Sequence, residues 1–236
     1  MKDVMKIADS IEGWLSPNEK TFLYNVAKNC SGKGVIVEIG SWKGKSTVLL
    51  AKGSEAGKRI AVHSIDPHTG SPEHIKRYGK VNTFNEFNRN IKKAGVASIV
   101  KPLRKTSEHA HDNWKHPIEL LWVDGSHEYD MVLLDFQLWE PNLVSGGVIA
   151  FHDTTLHEGT RKFIQNNFFQ SKNFTGIRLL DSIIYAKKVD HLTFSQKMGN
   201  YVQRVRFRTH IFIDSLPYPI RKVGVFLFGK RKNPIV

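Results

Sequence analysis

Glu38, Asp66, Asp124 and the pair His152-Asp153 each follow directly on a short apolar run, and acids placed that way can do chemistry. The runs are Val35-Ile36-Val37, Ile60 to Ile65, Leu120 to Val123, and Val148 to Phe151. In open α/β sheets, ligands bind beyond the carboxyl ends of the strands. Carboxylates gathered on one such rim repel one another unless a cation or a hydroxyl-rich ligand lies among them. Asp66 ends the strand after Glu38, where a carboxylate accepts hydrogen bonds from both hydroxyls of a ribose. An Asp-Pro turn is the alternative reading. Asp124, His152 and Asp153 form an oxygen and nitrogen set suited to a divalent metal. The carboxylates favour Mg²⁺ or Mn²⁺, and an imidazole tilts the choice toward transition metals. Helix capping by Asp153-Thr154 with a packed His152 competes with that reading. His127 lies three residues after Asp124, and because an unperturbed imidazole has its pKa near neutrality it is a candidate general base, a surface-loop histidine without a role being the alternative. Thr106-Ser107 either meets an adenine edge or caps a helix.

The elements that must position these groups can be read from the pattern around them. Val35 to Ser46 is a β-branched run, an acid and a Gly-x-x-x-Gly turn leading into Thr47-Val48-Leu49-Leu50-Ala51. This is a buried strand, a tight turn and a helix start. Glycine suits a turn that passes under a ligand, because it has no Cβ and tolerates positive φ. The spacing differs from the Gly-x-Gly-x-x-Gly of dinucleotide folds. Ser16-Pro17-Asn18-Glu19 reads as a helix start with a capping box. Further helices are expected over Thr83–Ala94, from Glu108, over Asp130–Leu143 and over Glu158–Phe169, and a further short strand at Ser98-Ile99-Val100. Gly176–Leu180 and Ile183–Ala186 read as a closing hairpin. Strands alternating with helices predict a doubly wound, mostly parallel sheet with an antiparallel member near one edge.

At 236 residues, with 40% hydrophobic and 24% charged residues, the chain can bury a sizeable core. One cysteine, Cys30, excludes an internal disulfide and favours a reducing, cytoplasmic compartment. No apolar run has the length of a membrane span. The net charge is +13. Residues 197–236 hold nine Lys/Arg and one acid, so much of the excess lies in a C-terminal segment. There Tyr201, Val202, Val205, Phe207, Ile211, Phe212 and Ile213 interleave with Arg204, Arg206 and Arg208, ahead of Pro217, Pro219 and an apolar Val223–Phe228. This mixture fits an interfacial helix on an anionic membrane, a homodimer arm, or a helix packed on its own domain with arginines reaching outward.

Glu38-Ile-Gly-Ser-Trp-Lys-Gly-Lys-Ser, Asp66-Pro, Asp124-Gly-Ser-His127-Glu-Tyr129 and Gly146-Gly-Val-Ile-Ala-Phe-His152-Asp153 resemble the class I S-adenosylmethionine-dependent methyltransferases. More narrowly they resemble methyltransferase domain family 24, which shares the layout of catechol-type O-methyltransferases. The resemblance covers roughly residues 14–187. It implies a Rossmann-like seven-stranded sheet in the order 3-2-1-4-5-7-6. It also implies an N-terminal helical segment over 1–30, a methyltransferase domain over 31–190 and an extension over 191–236. By position, Glu38, Gly40, Ser41 and Gly44 would line the methionine end of S-adenosylmethionine, with Ser46 beside them. Asp66 would hold the ribose, Ser107 would approach the adenine, and Asp124 would stand between cofactor and catalysis. The metal positions of the catechol-type enzymes read Asp124, His152 and Asp153, with His in place of an acid. His127 stands where those enzymes carry a lysine base.

The function expected is methyl transfer to a hydroxyl of a small polyhydroxylated acceptor, assisted by Mg²⁺ or Mn²⁺. Nucleic acid is not an expected partner, because the basic residues lie outside the cofactor region and no amino-methylation motif is present. A cofactor-binding scaffold without catalysis is disfavoured by the intact Glu38, Asp66 and Asp124.

Overall fold

The computed structural model describes residues 1–71, 75–76 and 79–216. Parts of the polar segment from His68 to Lys80, and Pro217, Pro219, Val223–Phe228 and the basic tail after them, lie outside the described residues. Two helices, α1 (Lys2–Asp9) and α2 (Pro17–Lys28), precede the sheet. The sheet strands are β1 (Val35–Ile39), β2 (Val62–Ile65), β3 (Val100–Leu103), β4 (Ile118–Val123), β5 (Leu143–Phe151), β6 (Phe174–Leu180) and β7 (Ile183–Lys188). Their spatial order is β3-β2-β1-β4-β5-β7-β6. All neighbours run parallel except β7, which is antiparallel to both β5 and β6. The intervening helices are α3 (Lys45–Ala56), α4 (Phe84–Lys93), α5 (Ser107–His111), α6 (Tyr129–Trp139) and α7 (Glu158–Asn166); α8 (Phe194–Ser215) follows the sheet.

Parallel strands covered on both faces must be apolar on both, and β4 is buried at every position. Alternate side chains feed two cores. Ile36, Leu120 and Trp122 join Leu23, Leu49 and Phe87 on one face. Val37, Leu121, Val123 and Phe151 join Val132, Trp139 and Phe163 on the other.

The expected elements are present, with shifted edges. The helix expected over Asp130–Leu143 ends at Trp139, and Glu140–Asn142 forms a 3₁₀ turn around Pro141, which has no N–H to continue the α-helix. That frees Leu143 to open β5 earlier than the glycines implied, paired with Ile118. The helix expected to reach Phe169 stops at Asn166, because Phe168 and Phe169 turn into the core as a 3₁₀ turn. The C-terminal α8 is capped by Thr193 and Gln196. It lies on its own domain through Asn200, which donates to the Phe174 carbonyl at 2.7 Å, and through Phe207 against Phe169. Among the described residues no helix is long and apolar enough to cross a membrane.

Candidate active site

A cleft of about 580 Å³ opens beyond the carboxyl ends of β1, β2, β4 and β5. Gly40 fixes how closely these strand ends meet. Its φ is +84°, and a Cβ there would lie 2.1 Å from the Asp124 carbonyl oxygen, so β1 and β4 can converge only on glycine. Gly44, at φ +92°, starts α3 over Phe87. Between them Trp42 takes a left-handed φ of 47°, a conformation held by its surroundings.

What holds the turn is Asp66. Its Oδ2 accepts from the amides of Ser41 (2.9 Å) and Trp42 (2.8 Å), and its Oδ1 from the amide of His68 (2.6 Å). A carboxylate has about four acceptor sites, so Asp66 braces the glycine turn and keeps capacity for a ligand hydroxyl. Ser41 is buried in the cleft wall, and its Oγ has no hydrogen-bond partner among the described residues. Ser46 also lines the cleft.

Glu38 lies beneath this floor, fully buried. Its Oε2 accepts from Thr47 Oγ1 at 2.5 Å and from Ser64 Oγ at 2.9 Å. Burial pushes it up to about 7, against the hydroxyls that favour its charge. A cationic ligand in the cleft above would favour the charged form of this carboxyl, which burial alone disfavours. On the opposite wall, Thr106 caps α5, and Ser107 lines the cleft while its Oγ accepts from Trp139 Nε1 at 2.8 Å.

The remaining acids meet at the ends of β4 and β5. His152 is buried, its Nδ1 3.0 Å from Asp124 Oδ1 and 3.5 Å from Asp153 Oδ2. Its Nε2 faces Glu19 Oε2 at 3.4 Å. Burial disfavours its charge, but Asp124, Glu19 and Asp153 together hold the imidazole well above its ordinary range. Glu19 is itself anchored: Oε1 accepts from the Ser182 amide (3.0 Å) and hydroxyl (2.6 Å), and Oε2 from the Ser16 amide (2.8 Å). Burial raises Glu19, yet His152, Ser182 and Ser16 outweigh it and bring the group to about 2. Asp153 sits at a left-handed φ of 54°. Burial raises it too, but the three imidazoles of His127, His152 and His157 hold it below the usual carboxylate range.

Asp124, His152 and Asp153 offer ligand atoms that all lie within 4.8 Å of one another. Tetrahedral ligands at ~2.0–2.1 Å from an ion stand about 3.3 Å apart, close to the 3.0 and 3.5 Å from His152 Nδ1 to the two carboxylates. Glu19 behind His152 matches the carboxylate that commonly supports a ligating imidazole. The donor set fits a divalent ion once the ion displaces the proton that these carboxylates hold on His152. A second group, His127, Asp153 and His157, is equally compact. Here the two rings stack, with centroids 3.8 Å apart and planes at 25°. Stacked imidazoles cannot both aim their in-plane lone pairs at one ion, so this pair suits proton handling. His127 Nε2 is 3.3 Å from Asp153 Oδ2, and His157 Nε2 is 3.8 Å from it.

Of the residues singled out from the sequence, Gly40, Ser41, Ser46, Asp66, Ser107, Asp124, His127, His152 and Asp153 share the cleft lining. Glu38 and Gly44 stand below and behind it. Glu19, His157 and Gly159 escaped sequence reasoning. Glu19 carried a local signal only as a capping-box residue, and His157 only as a histidine four residues after Asp153 at a helix entrance. The lip adds Trp14, Trp42, Met131 and Leu156, all from loops or helix surfaces.

A seven-stranded sheet in this order, with acids at the ends of β1, β2, β4 and β5, defines the class I S-adenosylmethionine-dependent methyltransferase fold. A family of methyltransferase domains matches residues 37–154, half of the chain. The chain belongs to that methyltransferase domain family. Among curated proteins it is 32% identical over 125 residues to an uncharacterized protein of Sinorhizobium fredii, covering 52% of this chain and 13% of that one. It is 29% identical over 120 residues to an uncharacterized protein of Acanthamoeba polyphaga mimivirus, covering 50% of each. The chain thus matches half or less of the length of these relatives. Among solved structures, the O-methyltransferase TomG from Streptomyces achromogenes superposes with a TM-score of 0.58 at 16% identity, over 80% of this chain and 90% of that one. That likeness establishes the fold.

Proposed function

We propose that the protein transfers the methyl group of S-adenosylmethionine to a hydroxyl oxygen of a small, polyhydroxylated acceptor, a sugar or natural-product unit, with a divalent ion beside the site. The observation that carries this reading is one cleft joining the Asp66-braced glycine turn to the His127–Asp153 contact. The first end offers the Ser41 hydroxyl and the spare acceptor capacity of Asp66 to a nucleoside, with Glu38 buried beneath them. The second offers a base within reach of the same space. TomG, an O-methyltransferase crystallised in complex with SAM, shares the fold that supports this placement.

In the reaction the acceptor oxygen forms a bond to the methyl carbon as the sulfur–methyl bond breaks, and the hydroxyl proton leaves. His127 accepts that proton, and Asp153, 3.3 Å from its Nε2, stabilises the imidazolium. Asp124, His152 and Asp153 would hold the divalent ion, which would supply Lewis-acid polarisation of the acceptor oxygen. The cleft walls hold the oxygen in line with the methyl group, where most of the rate enhancement of such a transfer arises. At the mouth, Trp14 and Trp42 lie 6.0 Å apart, and Trp14 is 53% exposed. An exposed indole offers a flat face to a sugar ring or an aromatic acceptor, and the polar groups behind it receive hydroxyls.

The test is methyl transfer from labelled S-adenosylmethionine across a panel of sugars and polyphenols, alongside calorimetric titration of the cofactor. His127→Ala should lower turnover by roughly 10²–10⁴-fold with cofactor affinity retained. No heat on cofactor titration, or full turnover in Asp153→Ala, would remove the reading.

A further inference from the structure

The 22 residues of α8 form a helix about 33 Å long with two unlike faces. One face is committed to the domain: Asn200 and Phe207 are buried, and Ile211 packs against the same core. On the opposite side, Phe194, Met198, Tyr201, Val202, Val205 and Phe212 recur at spacings of three, four and seven, so they form a single stripe. Phe194 is 79% exposed, Phe212 63% and Tyr201 61%. Such a contiguous apolar surface on a charged protein marks an interaction site.

At 100° per residue, Arg206 falls along one border of this stripe and Lys197 and Arg208 along the other, all exposed. The helix holds four basic residues, Lys197, Arg204, Arg206 and Arg208, against one acid, Asp214. An apolar centre with cations on both margins is the pattern of a helix lying in a bilayer interface. Its aromatic and aliphatic groups enter the acyl boundary while Lys and Arg meet headgroup phosphates. A second copy of the same face would press like charges together along both borders, whereas an anionic surface neutralises them. The net charge of +13 attracts the whole molecule to that surface.

We propose that α8 docks this protein on the surface of an anionic membrane, its exposed apolar stripe lying in the interface and Lys197, Arg206 and Arg208 on the headgroups. This goes beyond the methyl-transfer reading and stands whether or not that reading holds.

The experiment is co-sedimentation of the full-length protein with phosphatidylcholine vesicles, with and without phosphatidylglycerol. The comparison proteins are Val205→Glu/Phe212→Glu and, separately, Arg206→Gln/Arg208→Gln. All substituted side chains are exposed, and an unchanged circular dichroism spectrum and melting curve will confirm folding. The expected result is binding to phosphatidylglycerol-containing vesicles that the apolar double variant weakens roughly tenfold or more. The arginine variant should weaken binding less, and the loss should grow as salt is lowered. No vesicle binding overturns the proposal. So does binding that the apolar variant leaves intact, which would place the contact in bulk charge alone. Concentration-dependent dimerisation by light scattering, abolished by the apolar variant and without vesicle binding, would assign the stripe to a second copy and likewise overturn it.

Discussion

A side-chain carbon on Gly159 would lie 2.2 Å from the carbonyl oxygen of His127. The same atom would lie 2.6 Å from the Tyr129 amide. The first turn of α7 therefore presses directly on the loop that carries His127, and this contact brings His157 into its stack with His127. Because both obstacles are backbone, Gly159→Ala cannot be absorbed by a rotamer change. The substitution should cost about 1–3 kcal/mol of stability, as overpacking does. It should also reduce turnover by more than the folded fraction falls, with cofactor affinity held. Thermal melts, cofactor titration and steady-state kinetics on one preparation separate these effects. Wild-type turnover in a folded Gly159→Ala would detach the imidazole pair from catalysis.

Glu38 gives the fold an unusual pH response. Burial raises it from 4.5 to about 7, so the folded state holds its proton more tightly than the unfolded chain does. Stability from this group is full below pH about 4.5 and declines as pH rises toward about 7, by on the order of 3 kcal/mol. Glu38→Gln keeps the hydrogen-bonding shape without the titration. Urea midpoints compared between pH 5 and 8 should show the wild-type decline flattened in the variant; parallel curves would refute the assignment.

A second buried acid acts as a clasp. Glu119 accepts from the amides of Ser31 (2.5 Å), Gly32 (2.8 Å) and Lys33 (2.9 Å), closing the loop that feeds β1. Burial pushes the group up, but these amides outweigh it and keep the carboxylate below its ordinary range. Glu119→Ala leaves several amides unsatisfied and should cost about 1–3 kcal/mol. Chemical denaturation measures the loss, and a change within error would show that water replaces the clasp.

Cys30 should be chemically silent. It is buried, and burial, with Glu119 nearby, pushes its thiol up to about 12. The thiolate is the reactive form, so a maleimide or disulfide reagent at neutral pH should label the protein at its unfolding rate only. Rapid labelling of the native protein would contradict this environment.

The sheet was legible because its signals are local. A β-branched run with an acid after it marks the end of β1, and Asp-Pro and Asp-Gly do the same for β2 and β4, so the rim could be drawn before any contact was known. Gly40 could be marked as a turn residue, though not the 2.1 Å approach of the Asp124 carbonyl that requires it. Asp66 could be placed at the cofactor, but its bonds to three backbone amides depend on a loop folding back from another strand. Glu19 was legible only as a capping-box residue. Its reach to His152 spans more than a hundred positions of sequence and follows from how α2 packs beside the β6–β7 turn. Helix ends moved for the same reason: Phe168 and Phe169 carry helical periodicity, yet the core claims them.

Glu19 fastens three things at once: the first turn of α2, the β6–β7 turn through Ser182, and the ring of His152. Loosening the first turn of α2 should therefore also loosen His152, because one carboxylate holds both. By linkage, whatever steadies His152 from the cleft side should also slow amide exchange in the first turn of α2. A filled cleft should thus leave its mark on a helix end through a single buried carboxylate.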